Sequence, residues 1–506
     1  MKNRSARSEF IRLEGLRAAF MTRCEKYAGY TLPRLCLPKG ADEINTEIVH
    51  DYQAVGAQAS NHIANRLMLT MFAPSRPFIR LTMLAAAIQE LTANLKEEQI
   101  EAALAEGEQR AVKEMDNQEG FRAQLYEVLL NLTVLGNVCL HLPKKDEATV
   151  FGLRQYVVRR TQKGKINQAI VKECVLADEL DKDVRAAYEL ALGMPVQDEA
   201  KVTVYHRIER DGDKLMETTW VEDVQLPNDK FSGSYTDDDC PWHFLTWNLK
   251  HGSHYGTGLV EDYAGDFGSL SALSKAQIEG AILASEFRWL ANPTGTTKPE
   301  DFEASENGAV IPGVEGDLHL VVNSKSQDLT VVRQIGEDYI RRIGQGFLLG
   351  SAMTRDAERV TAEEIRNQAM ELETGLGGVY TRLASTLQRG VAKWLLHKID
   401  LKIGKTKIDV QIVTGLDALS RNGDLAALRA ALNDLAALDQ VAQTGMGQEL
   451  NLRAIATAIF VGHGVPANKY LKTEAEKAQA QAQADSDLAV TAGTEAAAQQ
   501  IAKGPQ

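Results

Sequence analysis

Three consecutive aspartates, Asp237, Asp238 and Asp239, and the H-x-x-H pair His251 and His254 are the residues of this sequence best suited to holding a divalent metal. Carboxylates bind Mg²⁺, and with His251 they would suit a metal-dependent enzyme acting on DNA. The spacing argues against that. Neighbouring residues on a strand point to opposite faces, so the aspartates cannot all converge on one ion. They read as an exposed turn ahead of Cys240 and Pro241. The histidines lie in a glycine-rich loop with no third ligand nearby in sequence, which reads as a solvated loop. Asp211-Gly212-Asp213 lacks the glutamate that closes an EF-hand loop and reads as a hairpin turn. The Gly-Thr-Gly-Leu at 256–259 lacks dinucleotide-binding spacing and reads as a loop before a helix. No phosphate-binding P-loop, H-E-x-x-H or G-x-S-x-G motif occurs. No catalytic residue, metal or cofactor is expected.

The elements around these residues are mixed. Phe10, Leu13, Leu16, Phe20, Cys24 and Tyr27 repeat at helical spacing until Pro33 and Pro38 break the run. A second helix covers the stretch before Pro74, and an acidic one the region of 88–110. Phe121, Leu125, Val128, Leu132 and Leu135 mark a helix, followed by a Gly136-Asn137 turn and a short strand. Residues 150–250 are strand-rich, with a hairpin turning at Asp211-Gly212. Two helical patterns follow, 263–290 and 326–350, the second with Ser324 or Ser326 as cap. Between them lies a Pro- and Gly-containing insert, in which Ala309–Ile311 and Leu318–Val322 suggest short strands. Past residue 404 come a strand, a helix over 424–441 with Asp424 as cap, and an Ala- and Gln-rich tail.

One helix start is specified with unusual completeness. In MTRDAERVTAEEIRNQAMELETGLGGVY (353–380), Thr361 and Glu364 form a capping box. Val360 and Ile365 occupy the staple positions. An apolar stripe from Ile365 through Leu387 predicts one helix of about 40 residues, extending past Trp394 to Ile399. Gly375, Gly377 and Gly378 interrupt it, marking a kink or a close helix contact.

At 506 residues the chain has room for about three domains on a prior of roughly 150 residues each. Its net charge of −13, from 56 basic and 69 acidic residues, excludes a typical sequence-specific DNA binder. No signal peptide or membrane span is read. The five scattered cysteines read as reduced thiols of a cytosolically made protein.

The stretches AVGAQASNHIANRLMLTMFAP, LYEVLLNLTVLGNVCLHLP, RDAERVTAEEIRNQAMELETGLGGVY and TGLDALSRNGDL, in that order, carry a resemblance that spans most of the chain. The sequence resembles the portal, or head–tail connector, proteins of short-tailed, podovirus-type bacteriophages. The likeness is weakest over 144–200, 291–325 and past 470. It implies an α+β, mainly α, portal fold: a wing (1–262), a stem of two helices (263–290 and 326–350) and a clip between them (291–325). A tunnel loop (351–360), a long wing helix and strand (361–413), a helical crown (414–470) and a barrel-like or disordered tail (471–506) would follow. The resemblance further implies a homo-oligomer, typically of twelve copies, at one capsid vertex of a virion assembled in the host bacterial cytoplasm. Double-stranded DNA would pass through it non-specifically. Its partners would be the terminase large subunit, a tail adaptor, major capsid and scaffolding proteins, and internal core proteins, with no membrane. In the family, the loop before the long helix points into the channel, which places Arg355 and Arg359 there and makes Val360, Thr361, Glu364 and Ile365 its anchor. The two arginines would either touch phosphates or pair with Asp356, Glu358 or a neighbouring subunit. Two rival readings are the metal-dependent DNA-processing enzyme above and a helical virion scaffold or adaptor without a channel.

Overall fold

The computed structural model describes residues 4–41, 45–74, 77–83, 97–144, 146–285, 288–306, 308–321, 326–349, 362–399 and 410–413, with Ile455 and Ile459. In chain order the strands are β1 (Arg80–Met83), β2 (Asn137–His141), β3 (Thr149–Phe151), β4 (Tyr156–Arg160), β5 (Ile166–Leu176), β6 (Lys201–Asp211), β7 (Lys214–Val221), β8 (Val224–Gln225), β9 (Ser232–Tyr235), β10 (Trp242–Thr246), β11 (Arg288–Ala291), β12 (Leu318–Val321) and β13 (Val410–Val413). The fold is α+β, mainly α, and the chain divides into two compact units. The first comprises 1–68, 120–355 and 374–379, and the second comprises 69–119, 356–373 and 380–506.

In the first unit, an antiparallel sheet runs β4-β5-β6-β7-β8, with β9 also paired to β7. Its central hairpin forms where the alternation predicts. Asp211 pairs with Lys214, leaving Gly212 and Asp213 as a two-residue loop, the length that suits tight strand reversal. Phe10 and Leu13 of the helix Ala6–Leu16 pack on Val157, Ile170 and Tyr205 of this sheet. A second cluster joins Tyr188 of the helix Lys182–Leu192 to Val202, Val204 and Val221.

The predicted first helix is two helices, Ala6–Leu16 and Ala18–Tyr30. The break falls at Arg17, whose backbone leaves helical geometry (φ −102°, ψ 11°). Its side chain is buried, and Nη2 donates to the Leu153 carbonyl at 2.8 Å. Leu16, read as part of the apolar stripe, is therefore turned out and 74% exposed.

The helix Phe121–Leu135 is buried continuously from Val128 to Leu135. Gly136 ends it in the left-handed conformation (φ 71°), its N–H bonded to the Leu132 carbonyl. A Cβ there would also lie 2.3 Å from the carbonyl carbon of Thr257. This is where the Gly-Thr-Gly-Leu loop belongs: its backbone lies against the helix end, and Asn137 clamps Gly256 with a reciprocal pair of hydrogen bonds, 2.7 and 2.8 Å. β2 then leads into the three-stranded sheet β10-β2-β3.

In the second unit β1 pairs antiparallel with β13, with Arg80 opposite Val413. Glu108, on the helix Glu97–Asn117, is fully buried and accepts the Leu81 N–H at 2.8 Å. A buried carboxylate demands such partners. The predicted 40-residue helix is divided. It runs from Ala362 to Gly375, breaks where Gly377 and Gly378 take φ 61° and 83°, and resumes as Val379–Leu383, a π turn over Ala384–Gln388, and Arg389–Lys398. Tyr380 and Gln388 bond the Thr70 and Met71 carbonyls at 3.3 and 2.6 Å.

All five cysteines are free thiols. Burial pushes Cys36 up to about 11 and Cys240 up to about 12, which keeps them protonated and unreactive. No helix among the described residues is long and apolar enough to cross a membrane. The 424–441 helix and the Ala/Gln tail lie outside the described residues.

Candidate functional site: a helix pair carrying a ribbon

The two helical patterns that flank the insert are the helices Ala264–Ser285 and Ser326–Gly346, and they pack on each other. At one end the pair is well buried. Phe267 meets Phe347 edge-on at 5.7 Å, and Tyr263 lies 5.4 Å from Phe347. Leu270 and Ile343 complete the cluster, and Arg342 pairs with Asp266 at 3.1 Å. Gly346 has no space for a side chain, because a Cβ would sit 2.2 Å from the Tyr263 ring. Truncating either phenylalanine would cost about 3–5 kcal/mol.

Away from that end the pair buries little. Ile278, Leu283, Val331, Ile335 and Ile340 are all exposed, between 42 and 54%. Exposed i,i+3 and i,i+4 pairs, Lys275–Glu279, Arg333–Glu337 and Arg341–Asp338, lie among them. The stretch 264–346 holds twelve acidic and seven basic residues.

The helices are joined through β11 and β12, an antiparallel ribbon with Arg288 opposite Val321. This corrects two expectations. The first helical pattern was read to 290, but the helix ends at Ser285 and Arg288–Ala291 is a strand. Ala309–Ile311 is not a strand, and Val310 is 98% exposed. A short apolar run looks alike in either role, and the partner that makes Arg288–Ala291 a strand is 30 residues away.

Asp317 organises the ribbon's far loop. Its carboxylate accepts the N–H groups of Thr296 and Thr297 at 2.9 and 3.0 Å, and the Thr297 hydroxyl at 3.0 Å. These bonds, led by the Thr297 N–H, hold the carboxyl below the usual aspartate range. The Asp317 carbonyl accepts the Asn292 N–H at 2.8 Å. Trp289, Leu290, Phe302 and Val314 are exposed around this loop, and Trp289 rests against Phe302 at 5.1 Å. Sequence reading missed Asp317; a lone aspartate before a strand, 20 residues from a Thr-Thr pair, carries no local signal.

The tunnel-loop residues Arg355 and Arg359 and the anchor residues Val360 and Thr361 lie outside the described residues. A helix begins at Ala362, directly after Thr361, with Glu364 and Ile365 in its first turn. On the preceding side, Leu348 takes a left-handed φ of 55°, a strained conformation for a bulky residue. Its carbonyl accepts the His62 Nε2–H at 3.0 Å. Gly375 lets Leu348 approach, since a Cβ there would be 3.3 Å from Leu348 Cδ2, so this glycine marks a close helix contact.

Three of the candidate metal residues, Asp237, Asp239 and His254, make other contacts. Asp237 accepts Lys165 at 2.9 Å and is also paired with Arg210, and the Arg210 bond leads in holding its carboxyl low. Asp239 accepts the Thr236 hydroxyl at 2.9 Å, and His254 Nδ1 accepts the Arg160 N–H at 3.1 Å. Among the described residues no three His, Cys, Asp or Glu side chains come together as a metal site.

Residues 3–471 match the family of bacteriophage head to tail connecting proteins. The chain is 31% identical to the portal protein of Escherichia phage T7, over 98% of this chain and 94% of that one. It is 33% identical to the portal protein of Enterobacteria phage SP6, over 81% and 79% of the two chains. It is 32% identical to the portal protein of Enterobacteria phage T3, over 93% and 89%. Among solved structures, a chain from the virion of a native gene transfer agent aligns at a TM-score of 0.37 and 14% identity, over 74% of this chain and 86% of that chain. The chain belongs to the bacteriophage head-to-tail connecting family, the non-enzymatic portal proteins found where a phage head joins its tail.

Proposed function

We propose that copies of this chain, twelve of them, close into a ring around a channel through which double-stranded DNA is packaged and later ejected. The observation that carries this reading is the set of large apolar side chains that the helix pair leaves exposed. Monomeric proteins seldom leave such a surface open, and a head-to-tail interface between unlike faces closes into a ring. The pair would form the stem (263–290 and 326–350), the ribbon and Asp317 loop the clip (291–325), and residues 1–262 with 361–413 the wing. Residues 351–360 would be the tunnel loop, 414–470 the crown, and 471–506 the tail.

The excess of acidic residues over 264–346 suits a conduit. Carboxylates repel phosphate and leave DNA free to slide, where clustered Lys and Arg would hold it. Arg355 and Arg359 would form a narrow positive collar in the tunnel loop, touching phosphates without reading bases. The strained Leu348 and the helix start at Ala362 would hold the two ends of that loop. The clip would meet the terminase large subunit during packaging and the tail adaptor afterwards. Major capsid, scaffolding and internal core proteins would contact the remaining surfaces.

Electron microscopy of the purified chain tests the ring: annular particles with a central hole are expected, and compact single subunits at every concentration and salt would overturn it. Replacing Arg355 and Arg359 with alanine tests the collar, with impaired DNA retention expected. Unchanged packaging and retention would remove the collar from the mechanism.

A further inference from the structure

A cleft of about 360 Å³ opens in the first unit between the two N-terminal helices, β4 and the 252–255 loop. That is within the roughly 300–1,000 Å³ of small-ligand sites. Its floor includes Leu13 and Val158, and its polar wall is formed by Arg17, Arg23, Arg159, His254 and Tyr255, with Phe20 beside them. No carboxylate lines it.

The hydrogen-bond inventory of this wall runs one way. Tyr255 Oη accepts the Val158 N–H at 3.0 Å and Arg17 Nη1 at 3.4 Å. Its own hydrogen is left to donate. His254 Nδ1 accepts the Arg160 N–H at 3.1 Å, so the neutral ring carries its hydrogen on Nε2. Arg23 and Arg159 meet no carboxylate among the described residues. Arg17 is 5% exposed, and its Nε has no partner at all. Phe20 and Tyr255 stack at 5.0 Å and 23°, and the Arg17 and Arg23 guanidinium carbons lie 5.3 and 5.8 Å from the Tyr255 and Phe20 rings, fixing the donors against an apolar wall.

The cleft therefore presents two guanidinium groups without a carboxylate, those of Arg23 and Arg159, with a phenol and an imidazole beside them and the buried Arg17 behind. A carboxylate is planar and is satisfied by one guanidinium fork. Donors offered by several side chains of one cleft suit a tetrahedral anion with several oxygens better. We propose that this cleft binds a phosphate group, carried by a free phosphate compound or by a nucleic-acid backbone. The inference stands apart from ring closure, since it calls on no residue of a second copy.

The test uses the full-length protein and three probes at low salt: inorganic phosphate, a mononucleotide and a short DNA duplex, each followed by titration calorimetry. The variants are R23A/R159A, R23K/R159K and Y255F, with circular dichroism melting to verify that each is folded. Arg23 is exposed and Arg159 half-buried, so the double variants should fold. At least one probe should bind the wild type. R23A/R159A should weaken it about a hundredfold, taking about tenfold for each charge-assisted contact. R23K/R159K should fall between, because it keeps charge and loses the fork. Y255F should weaken binding less than R23A/R159A does. Binding of phosphate or the mononucleotide identifies a small ligand, and binding of the duplex alone identifies a DNA backbone; either supports the site. The proposal is overturned if no probe binds the folded wild type, or if R23A/R159A binds as tightly. It is equally overturned if R23A/R159A alters only the oligomer mass, which would assign the cleft to a carboxylate of a second copy.

Discussion

The helix Phe121–Leu135 and the helix pair Ala264–Ser285 and Ser326–Gly346 belong to the same compact unit and use apolar residues in opposite ways. The second half of the first is closed on every side: Val128 to Leu135 are buried, and Gly136 seats the helix end against Thr257. The pair is closed only at its base, around Phe267 and Phe347, and leaves Ile278, Leu283, Val331, Ile335 and Ile340 in solvent. This chain completes one core by itself and leaves the apolar side chains of the pair open, where the proposed ring would cover them. Burial is worth about 25 cal/mol per Å² of apolar surface wherever the covering atoms come from, so these open side chains would contribute to association in the proposed ring.

The contrast can be broken at the closed end first. Leu129→Ala should lower stability by about 3 kcal/mol, since Leu129 is fully buried and the cavity cannot easily collapse. Urea unfolding measures it, and a change under 1 kcal/mol would show that the helix is less enclosed than its packing implies. Gly136→Ala comes next, at about 2 kcal/mol, from left-handed strain together with the clash against Thr257. Asp317→Asn should leave global unfolding unchanged and speed amide exchange over 292–317. The pH dependence has a definite sign. Asp317 sits below its ordinary carboxylate range, so its contribution is complete above that range and lost as the pH falls through the lowered value. Wild-type loop protection, taken relative to the intrinsic exchange rate at each pH, should fall on acidification, and that acid step should be missing from Asp317→Asn.

Much of this was legible in the residues. The hairpin at Gly212, the helix–glycine–strand at Phe121 to His141 and the symmetric helix pair all follow from local chemistry and period. The failures have a common cause. Arg288–Ala291 continues a helical run until β12 claims it. Arg17 breaks a good helical period because the Leu153 carbonyl draws its side chain inward. The helix after Ala362 parts at Gly377 and Gly378, where apolar period alone predicts continuity. The cleft of Arg17, Arg23 and Arg159 joins residues more than a hundred positions apart, so no window of sequence displays it. Periodicity identifies an apolar face; whether that face is met by the same chain or by another is a tertiary fact.

The most direct measurement is therefore the light-scattering mass of the double variant I278D/I335D, with circular dichroism to monitor its fold. Both side chains are exposed, so charge there should leave the subunit folded. The expected result is a folded species with the mass of one chain, beside a wild type with the mass of a closed ring. A variant that keeps the wild-type mass would contradict the central claim, because the open face of the helix pair would then not be where subunits meet.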